Sequence, residues 1–292
     1  MREYKYKKID AFTSGCSNGN PAACIYLERQ QILTESEMQL IARQHKGFVS
    51  EVVYLRTEED QYSLAFYSSE CEVDFCGHGT IACMYSLIKH SPELMAQEEL
   101  LVNTVRKGIL TVYNRITQQN AVFISAPQPE YHSIQVSASY IAAKLGINEA
   151  DISGAYPIEI LNAGLNTLIV PITELKKEVS VNPQEQVLKR FCQEQGIDIV
   201  LIFNMQVKDQ NRFAHTRVFA PKYGYLEDPA TGSGNSAFGY YMLKHQLWTG
   251  DPITIEQGGD NIEFNEVRLM AQDGIVMFGG SATDRIVGGY MI

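Results

Sequence analysis

The pattern of apolar and polar positions predicts a definite order of elements in the first half of the chain. An apolar run at 22–27 is typical of a buried strand. The segment 35–44 carries an apolar stripe behind a capping box made by Thr34 and Glu37, which predicts a helix. Further strands are predicted near 51–55, 62–66, 100–105 and 109–113, and an apolar helix that ends near Lys89 lies between the second and third of them.

The second half repeats this order about 150 residues further along. A strand at 167–171 precedes a helix at 183–195, in which Asn182 is the predicted N-cap, Glu185 completes a capping box and Gly196 ends the helix. The other predicted strands are 197–205, 214–219, 266–271 and 275–278, with an apolar helix that ends near His245. The repetition indicates two similarly folded lobes, and the run of neighbouring strands favours the α+β class over a doubly wound parallel sheet.

Two prolines, Pro127 and Pro129, interrupt the pattern between the repeats. We therefore predict an N-terminal lobe of residues 1–126 and a C-terminal lobe of residues 127–280. Residues 281–292 are predicted to form a terminal strand that packs back on the N-terminal lobe. The segment between the two prolines, together with glycine-flanked loops, would act as a hinge if the lobes close around a ligand.

Charge and cysteine usage narrow the class of protein. The 292 residues include 34 acidic and 24 basic side chains, and the formal charge is −10. The basic residues are scattered, which argues against a nucleic-acid partner because such binding needs clustered lysine and arginine. The N-terminus has no apolar core of signal-peptide length, and no stretch approaches the length of a membrane helix, so we expect a cytoplasmic protein without membrane association. The six cysteines lack zinc-site spacing, and we expect reduced thiols and no bound metal.

Each half contains one glycine-rich turn that opens an apolar helix, at Cys76–Thr80 and at Thr231–Asn235. A helix start carries unpaired N–H groups and a partial positive charge, and glycine lets a ligand approach the backbone. Two such starts that face each other would hold a small anion such as a carboxylate. The alternative is a tight strand-to-helix turn without a ligand. Neither turn matches a phosphate-binding loop, so no nucleotide is expected.

Three titratable residues are candidates for proton transfer. Glu51 begins an apolar strand, where partial desolvation would raise its pKa toward neutrality; the alternative is an exposed acid on an edge strand. His78 lies at a helix start, where the dipole disfavours the imidazolium, although it could equally be a capping or core histidine. Asp228 precedes Pro229 and could be an ordinary turn residue.

Five motifs extend through nearly the whole chain. They are Asp10–Thr13 with Gly19–Pro21, Ser50–Glu51, Phe75–Thr80, Arg217–Pro221 and Glu227–Ser233. With these motifs in this order, the sequence resembles the PhzF-like isomerases of phenazine biosynthesis, which share the diaminopimelate epimerase fold. The resemblance implies two pseudo-symmetric lobes, each a β-barrel-like mixed sheet wrapped around a central helix, with the active site in the cleft between them.

The same resemblance implies an acid/base isomerase of a small carboxylate-bearing metabolite, without metal or organic cofactor and often a homodimer. Glu51 would be the general acid/base, assisted by His78 and Asp228. The residues that would bind the substrate are Asn20, Ser50, Gly77, Gly79, Gly232 and Ser233.

Two other functions remain open. Related epimerases use two cysteines, one at each helix start, and here Cys76 has Thr231 as its counterpart. A hydroxyl is a far weaker acid than a thiol, which disfavours a two-thiol epimerase and leaves Cys76 as a reactive thiol or a small buried filler. A catalytically idle binding protein on the same fold is the second alternative. The family commonly has Gly-Arg-Pro-Ser after a Gln-Gly, whereas 259–265 departs from it, so the substrate of phenazine enzymes is not transferred.

Overall fold

The computed structural model describes residues 1–58, 61–259 and 263–292. Within it the chain divides into two compact units. The first unit comprises residues 1–124 with 279–292, and the second comprises residues 125–278. No helix in the described ranges has the length and apolar character needed to span a membrane.

The first unit is built on a mixed sheet. The elements up to residue 125 are β1 (Glu3–Ala11), β2 (Asn20–Leu27), α1 (Glu35–Gln44), β3 (Glu51–Glu58), β4 (Gln61–Ser68), β5 (Glu72–Val73), α2 (Gly77–Lys89), α3 (Pro92–Met95), β6 (Glu99–Thr104), β7 (Gly108–Arg115), α4 (Ile116–Gln119) and β8 (Ala121–Ser125). β1 and β2 pair antiparallel, β2 and β3 parallel, β3 and β4 antiparallel, and β4 and β6 parallel. β7 pairs antiparallel with β6 on one side and with β8 on the other.

The second unit follows with its own strands and helices. They are β9 (Glu130–His132), α5 (Ala138–Leu145), β10 (Glu159–Asn162), β11 (Asn166–Pro171), α6 (Leu175–Ser180), α7 (Glu185–Gln195), β12 (Ile199–Asn204), β13 (Ala214–Phe219), β14 (Glu227–Asp228), α8 (Gly232–Lys244), β15 (Ile253–Gln257), β16 (Asn265–Gln272) and β17 (Ile275–Gly280). The last strand, β18 (Ala282–Met291), pairs antiparallel with β1 from Ala11 to Glu3. It therefore completes the first unit.

The two units repeat the same pairing order. β10, β11, β12, β13 and β15 pair with one another as β1, β2, β3, β4 and β6 do: antiparallel, parallel, antiparallel, parallel. The first strand of each series has one more antiparallel neighbour: β1 pairs with β18 in the first unit, and β10 pairs with β9 in the second. This repetition confirms the predicted α+β fold of two pseudo-symmetric units.

Each unit encloses an apolar helix in its sheet and carries an amphipathic helix on the outside. α2 contacts β1, β2, β3 and β18, and nine of its thirteen residues are buried. α8 contacts β10, β11, β12 and β16, and ten of its thirteen residues are buried. A helix that is apolar on all sides has to be enclosed, whereas α1 and α7 are amphipathic and bury one stripe each.

The predicted signals at helix ends are confirmed for α1 and only in part for α7. Thr34 and Glu37 make both bonds of the capping box. α7 ends at Gly196, whose φ is 66° as a left-handed C-cap requires.

The predicted start of α7 is wrong. The helix begins at Glu185 behind Gln184, which makes no side-chain cap, so Asn182 is not the N-cap and Glu185 completes no capping box. The guanidinium of Arg217 donates to the carbonyl oxygen of Val181 at 2.6 Å. Val181 and Gln184 are both extended, with ψ of 125° and 116°, so the helix begins only after Gln184.

Candidate active site

Glu51, Cys76 and His78 lie together in the first unit. Glu51 is the first residue of β3, beside Ala22 of β2 and Ser68 of β4. His78 is in the first turn of α2, and its Nε2 lies 3.3 Å from Oε2 of Glu51. Both side chains are largely buried, with 13% and 18% of their surface exposed. Nδ1 of the same imidazole lies 3.6 Å from Sγ of Cys76, the N-cap of α2.

A glycine explains why the helix start lies so close to the strand. A Cβ on Gly79 would lie 2.8 Å from Cγ2 of Val53 and 2.9 Å from Sγ of Cys76. Only glycine therefore permits α2 to approach β3 at this distance. The backbone N–H of Gly79 donates to the sulfur of Cys76 at 3.3 Å, which fixes the thiol at the helix start. Packing alone thus demands glycine here, apart from any contact with a ligand.

His78 is neutral near pH 7. Burial lowers its pKa to about 4, and a hydrogen bond with the backbone of Pro21 acts in the opposite direction without overcoming it. The neutral imidazole expected from the sequence agrees with this lowered pKa, and its cause is burial. The contact between Glu51 and His78 is therefore not a pair of opposite charges at neutral pH.

Asp228 belongs to a polar network at the start of α8 in the second unit. It is the second residue of β14 and is 8% exposed. The hydroxyl of Thr231 donates to its carboxylate, and the side-chain amide of Gln257 donates to its carbonyl oxygen at 2.8 Å. The Thr231 hydroxyl oxygen accepts from the side-chain amide of Gln257 at 3.1 Å, and it accepts no cap bond from the backbone of α8.

Sequence reasoning missed two members of this network, Gln257 and Asn235. Both are fully buried, and Oε1 of Gln257 accepts from the backbone N–H of Thr231 at 2.9 Å and from the Asn235 side chain at 2.7 Å. A polar residue inside the apolar run of α8 was the available signal for Asn235. The network holds the turn before α8 in one conformation.

Packing also requires the glycine at the start of α8. A Cβ on Gly232 would lie 2.2 Å from Cε2 of Phe278. Ser233 follows it as the second residue of the helix and is half-buried. The roles of both residues in substrate binding remain predictions.

The remaining predicted binding residues lie in the first unit. Asn20 is the first residue of β2 and is 1% exposed, and Ser50 directly precedes β3. Gly77 is the first residue of α2. Gly19 before Asn20 has a φ of 69°, and a Cβ there would lie 2.6 Å from the carbonyl oxygen of Ala11.

The duplicated units differ in chemistry at equivalent positions. The strand that begins with Glu51 in the first unit begins with Ile199 in the second, and both pair in parallel with the preceding strand. Cys76 corresponds to the N-cap Thr231. The first unit therefore carries a carboxylate, a thiol and an imidazole where the second carries apolar and hydroxyl groups.

The Arg217–Pro221 motif is structural. Arg217 makes a two-point contact with the carboxylate of Glu227, at 2.9 and 2.8 Å. The same guanidinium donates to the carbonyl oxygens of Glu178, Val179 and Val181 at the end of α6. Of the segment that departs from the family pattern, residues 260–262 lie outside the described residues.

A duplicated α+β unit, in which each repeat encloses a central helix, defines the class of the diaminopimelate epimerase-like folds. The family profile of phenazine biosynthesis-like proteins, PhzC-PhzF, matches residues 9–276. The chain belongs to this family, and the predicted PhzF-like isomerase is confirmed.

Curated relatives carry isomerase names. The chain is 27% identical over 278 residues to the uncharacterized isomerase YfhB of Bacillus subtilis, with 91% of this chain and 92% of the relative covered. It is 25% identical to the trans-2,3-dihydro-3-hydroxyanthranilate isomerase of Pseudomonas fluorescens, with 91% and 89% covered. The crystal structure of a PhzF-family phenazine biosynthesis protein of Bacillus anthracis covers both chains completely at a TM-score of 0.87 and 23% identity, which shows the shared fold.

Proposed function

We propose that the protein moves a proton between two positions of a small carboxylate-bearing metabolite, with Glu51 as the general acid/base. One observation carries the proposal: a largely buried carboxylate lies 3.3 Å from the imidazole of His78 at the start of a central helix. A carboxylate shielded from water is suited to take a proton from carbon and to return it.

The chemical steps use only groups of this chain. Oxygen of Glu51 takes a proton as the substrate C–H bond breaks, and the electron pair spreads into the adjacent carboxyl or conjugated system. The new O–H then gives the proton to another carbon. The neutral imidazole of His78 offers a hydrogen bond without adding a charge. The N–H groups at the start of α2, near Gly77, are suited to hold the substrate carboxylate.

The proposal also gives roles to residues of the second unit, where the Thr231 hydroxyl meets the Asp228 carboxylate. The bond from Thr231 to Asp228 orients both groups, and Gln257 holds the turn in place. We assign assistance in proton transfer to Asp228, and carboxylate binding to Gly232 and Ser233 at the start of α8. The role of Asp228 is tested separately by Asp228→Asn, which removes its charge and keeps its shape.

The named substrate of the Pseudomonas fluorescens relative is a carboxylic acid, which supports the proposed substrate class. The departure after Gln257 is the reason that we propose the class and not that compound. A metabolite screen for thermal stabilisation identifies the compound itself, because a ligand at 100 times its dissociation constant adds about 2.7 kcal/mol to stability.

The proposal includes a homodimer in the cytoplasm that needs no cofactor. All six cysteines are free thiols, which supports a reducing location. Sedimentation equilibrium of the full chain tests the oligomeric state, and a monomer at all concentrations would remove that part of the proposal.

The decisive experiment is Glu51→Gln assayed by deuterium incorporation from D2O into a panel of small unsaturated and amino acids. Loss of a general acid/base lowers the rate by about 10²–10⁴-fold. Glu58→Gln is the matched control, because Glu58 ends the same strand and is exposed. A substrate that exchanges equally fast in wild type and Glu51→Gln refutes the role of Glu51. A small acid that binds the wild type without any exchange would instead favour the idle binding protein.

A further inference from the structure

Three different ligand types meet at the start of α2. One carboxylate oxygen of Glu51, Sγ of Cys76 and a ring nitrogen of His78 all lie within 4.8 Å of one another. Thiolate, imidazole and carboxylate are the three side-chain types that bind Zn²⁺ in proteins. The combination was invisible in the sequence, because Glu51 comes from a strand that is distant along the chain from the two residues of the turn.

The separations are close to those of a tetrahedral ion. Bonds of 2.0–2.1 Å to nitrogen and oxygen and 2.3 Å to sulfur imply an N···O separation of about 3.3 Å and an N···S separation of about 3.6 Å. Nε2 of His78 lies 3.3 Å from Oε2 of Glu51 and 3.9 Å from Sγ of Cys76. The remaining pair, the Glu51 oxygen and Sγ of Cys76, lies within 4.8 Å, so side-chain movements complete this geometry.

The surroundings hold the three ligands in place. Glu51 begins a strand in the sheet, and the helix start is pressed against that sheet at Gly79. The ring of His78 hydrogen-bonds the backbone of Pro21. A hydrogen bond from a ligating histidine to a backbone carbonyl is the usual arrangement that orients it toward a metal.

Charge also favours a divalent cation. The N–H of Gly79 donates to the sulfur, and the N-terminal end of a helix stabilises negative charge on it. A carboxylate and a thiolate then balance two positive charges, and the imidazole adds none. Three protein ligands leave one tetrahedral position for water or substrate.

We propose that Glu51, Cys76 and His78 form a binding site for a thiophilic divalent cation, with Zn²⁺ as the best match, and that the bound ion inhibits the enzyme. The ion occupies the oxygen that Glu51 needs for proton transfer. The inhibition rests on the proposed function, whereas the binding does not.

Binding is tested on the chelator-stripped full-length protein by titration with Zn²⁺ against a chromogenic chelator, and with Co²⁺ in the near-ultraviolet. We expect one equivalent of Zn²⁺ and a thiolate-to-Co²⁺ charge-transfer band. Cys76→Ser should abolish the band and weaken Zn²⁺ binding by at least about 100-fold. Cys71→Ser is the matched control, because Cys71 is an exposed thiol outside the cluster.

His78→Gln provides a second variant, with circular dichroism to show that each protein is folded. Zn²⁺ binding that is equally tight in wild type, Cys76→Ser and His78→Gln overturns the site. The site is also overturned if wild type binds Zn²⁺ only when no chelator competes and then takes up several equivalents.

Deuterium exchange separates this inference from the proposed function. Exchange by the stripped protein that stops on adding one equivalent of Zn²⁺ supports both. Zn²⁺ binding at the cluster without any exchange in the stripped protein overturns the proposed function and leaves the binding site intact. Exchange that continues at full rate with the site loaded overturns the inhibition.

Discussion

A buried glutamate and histidine in the second unit make the pH dependence of stability predictable. Glu178 of α6 and His215 of β13 are both fully buried, with Nδ1 of the histidine 3.0 Å from Oε1 of the glutamate. Burial raises the pKa of Glu178 well above 4.5 and lowers that of His215 to about 4. The other charged groups that face the pair are Arg217, Glu227 and Glu256, and the ring of Phe264 covers the imidazole.

The protons bound by the pair determine the sign of the effect. Glu178 has a raised pKa, so its contribution to stability is complete below its unfolded value of 4.5 and is lost as pH rises toward the folded value. His215 has a lowered pKa, so its contribution is complete above its unfolded value of 6.5 and is lost as pH falls toward about 4. Between pH 4.5 and 6.5 the contribution of Glu178 falls and that of His215 rises with pH, so the two slopes oppose each other.

The perturbation is Glu178→Gln, which removes the titratable carboxyl, and its effect is measured above pH 6.5, where His215 adds no slope. Wild type should lose stability in that range by up to about 1.4 kcal/mol per pH unit from this group, and the variant should lack that slope. Trp248, the chain's single tryptophan, lies in the second unit and is 5% exposed, so its fluorescence reports unfolding there. Urea titrations at a series of pH values from 5.5 to 8.5 give the free energies.

The control is Glu194→Gln, because Glu194 is an exposed acid on α7 of the same unit. This variant should keep the slope of wild type. Equal slopes above pH 6.5 in wild type and Glu178→Gln would show that the glutamate is ionised in the folded protein and would refute the reasoning.

Two further substitutions test the packing and the guanidinium contacts of the second unit. Gly232→Ala places a methyl group 2.2 Å from the ring of Phe278 and should cost about 1–3 kcal/mol in urea unfolding, whereas Gly154→Ala, in open space, should cost less than half of that. Equal midpoints for the two variants would contradict the packing argument. Arg217→Lys keeps the charge but cannot span the carboxylate of Glu227 and three backbone carbonyls, so it should lose at least about 1.5–3 kcal/mol in the same assay. A variant as stable as wild type would show that these contacts contribute no net stability.

The sequence predicted those helices and strands that are determined by interactions between neighbouring residues. The bonds of the capping box at Thr34 join residues three apart, and α2 and α8 are apolar on all sides over a whole helix. The start of α7 was misread, because Asn182 and Glu185 have the residue types of a capping box but the chain is still extended at Gln184. The short strands β9 and β10 were missed because three or four residues carry too little pattern without their sheet partners.

The sequence by itself determined the duplicated order of α+β elements and the residues that could move a proton. Its acidic composition also argued against a nucleic-acid partner. These follow from side-chain chemistry and from periodicity, which are properties of neighbouring residues. Only the tertiary structure decided which atoms meet. The 3.3 Å contact of Glu51 with His78 and the buried pair of Glu178 and His215 each join separate elements. Their distances depend on how closely a helix packs on a sheet, and at the candidate active site that closeness depends on the missing side chain of Gly79.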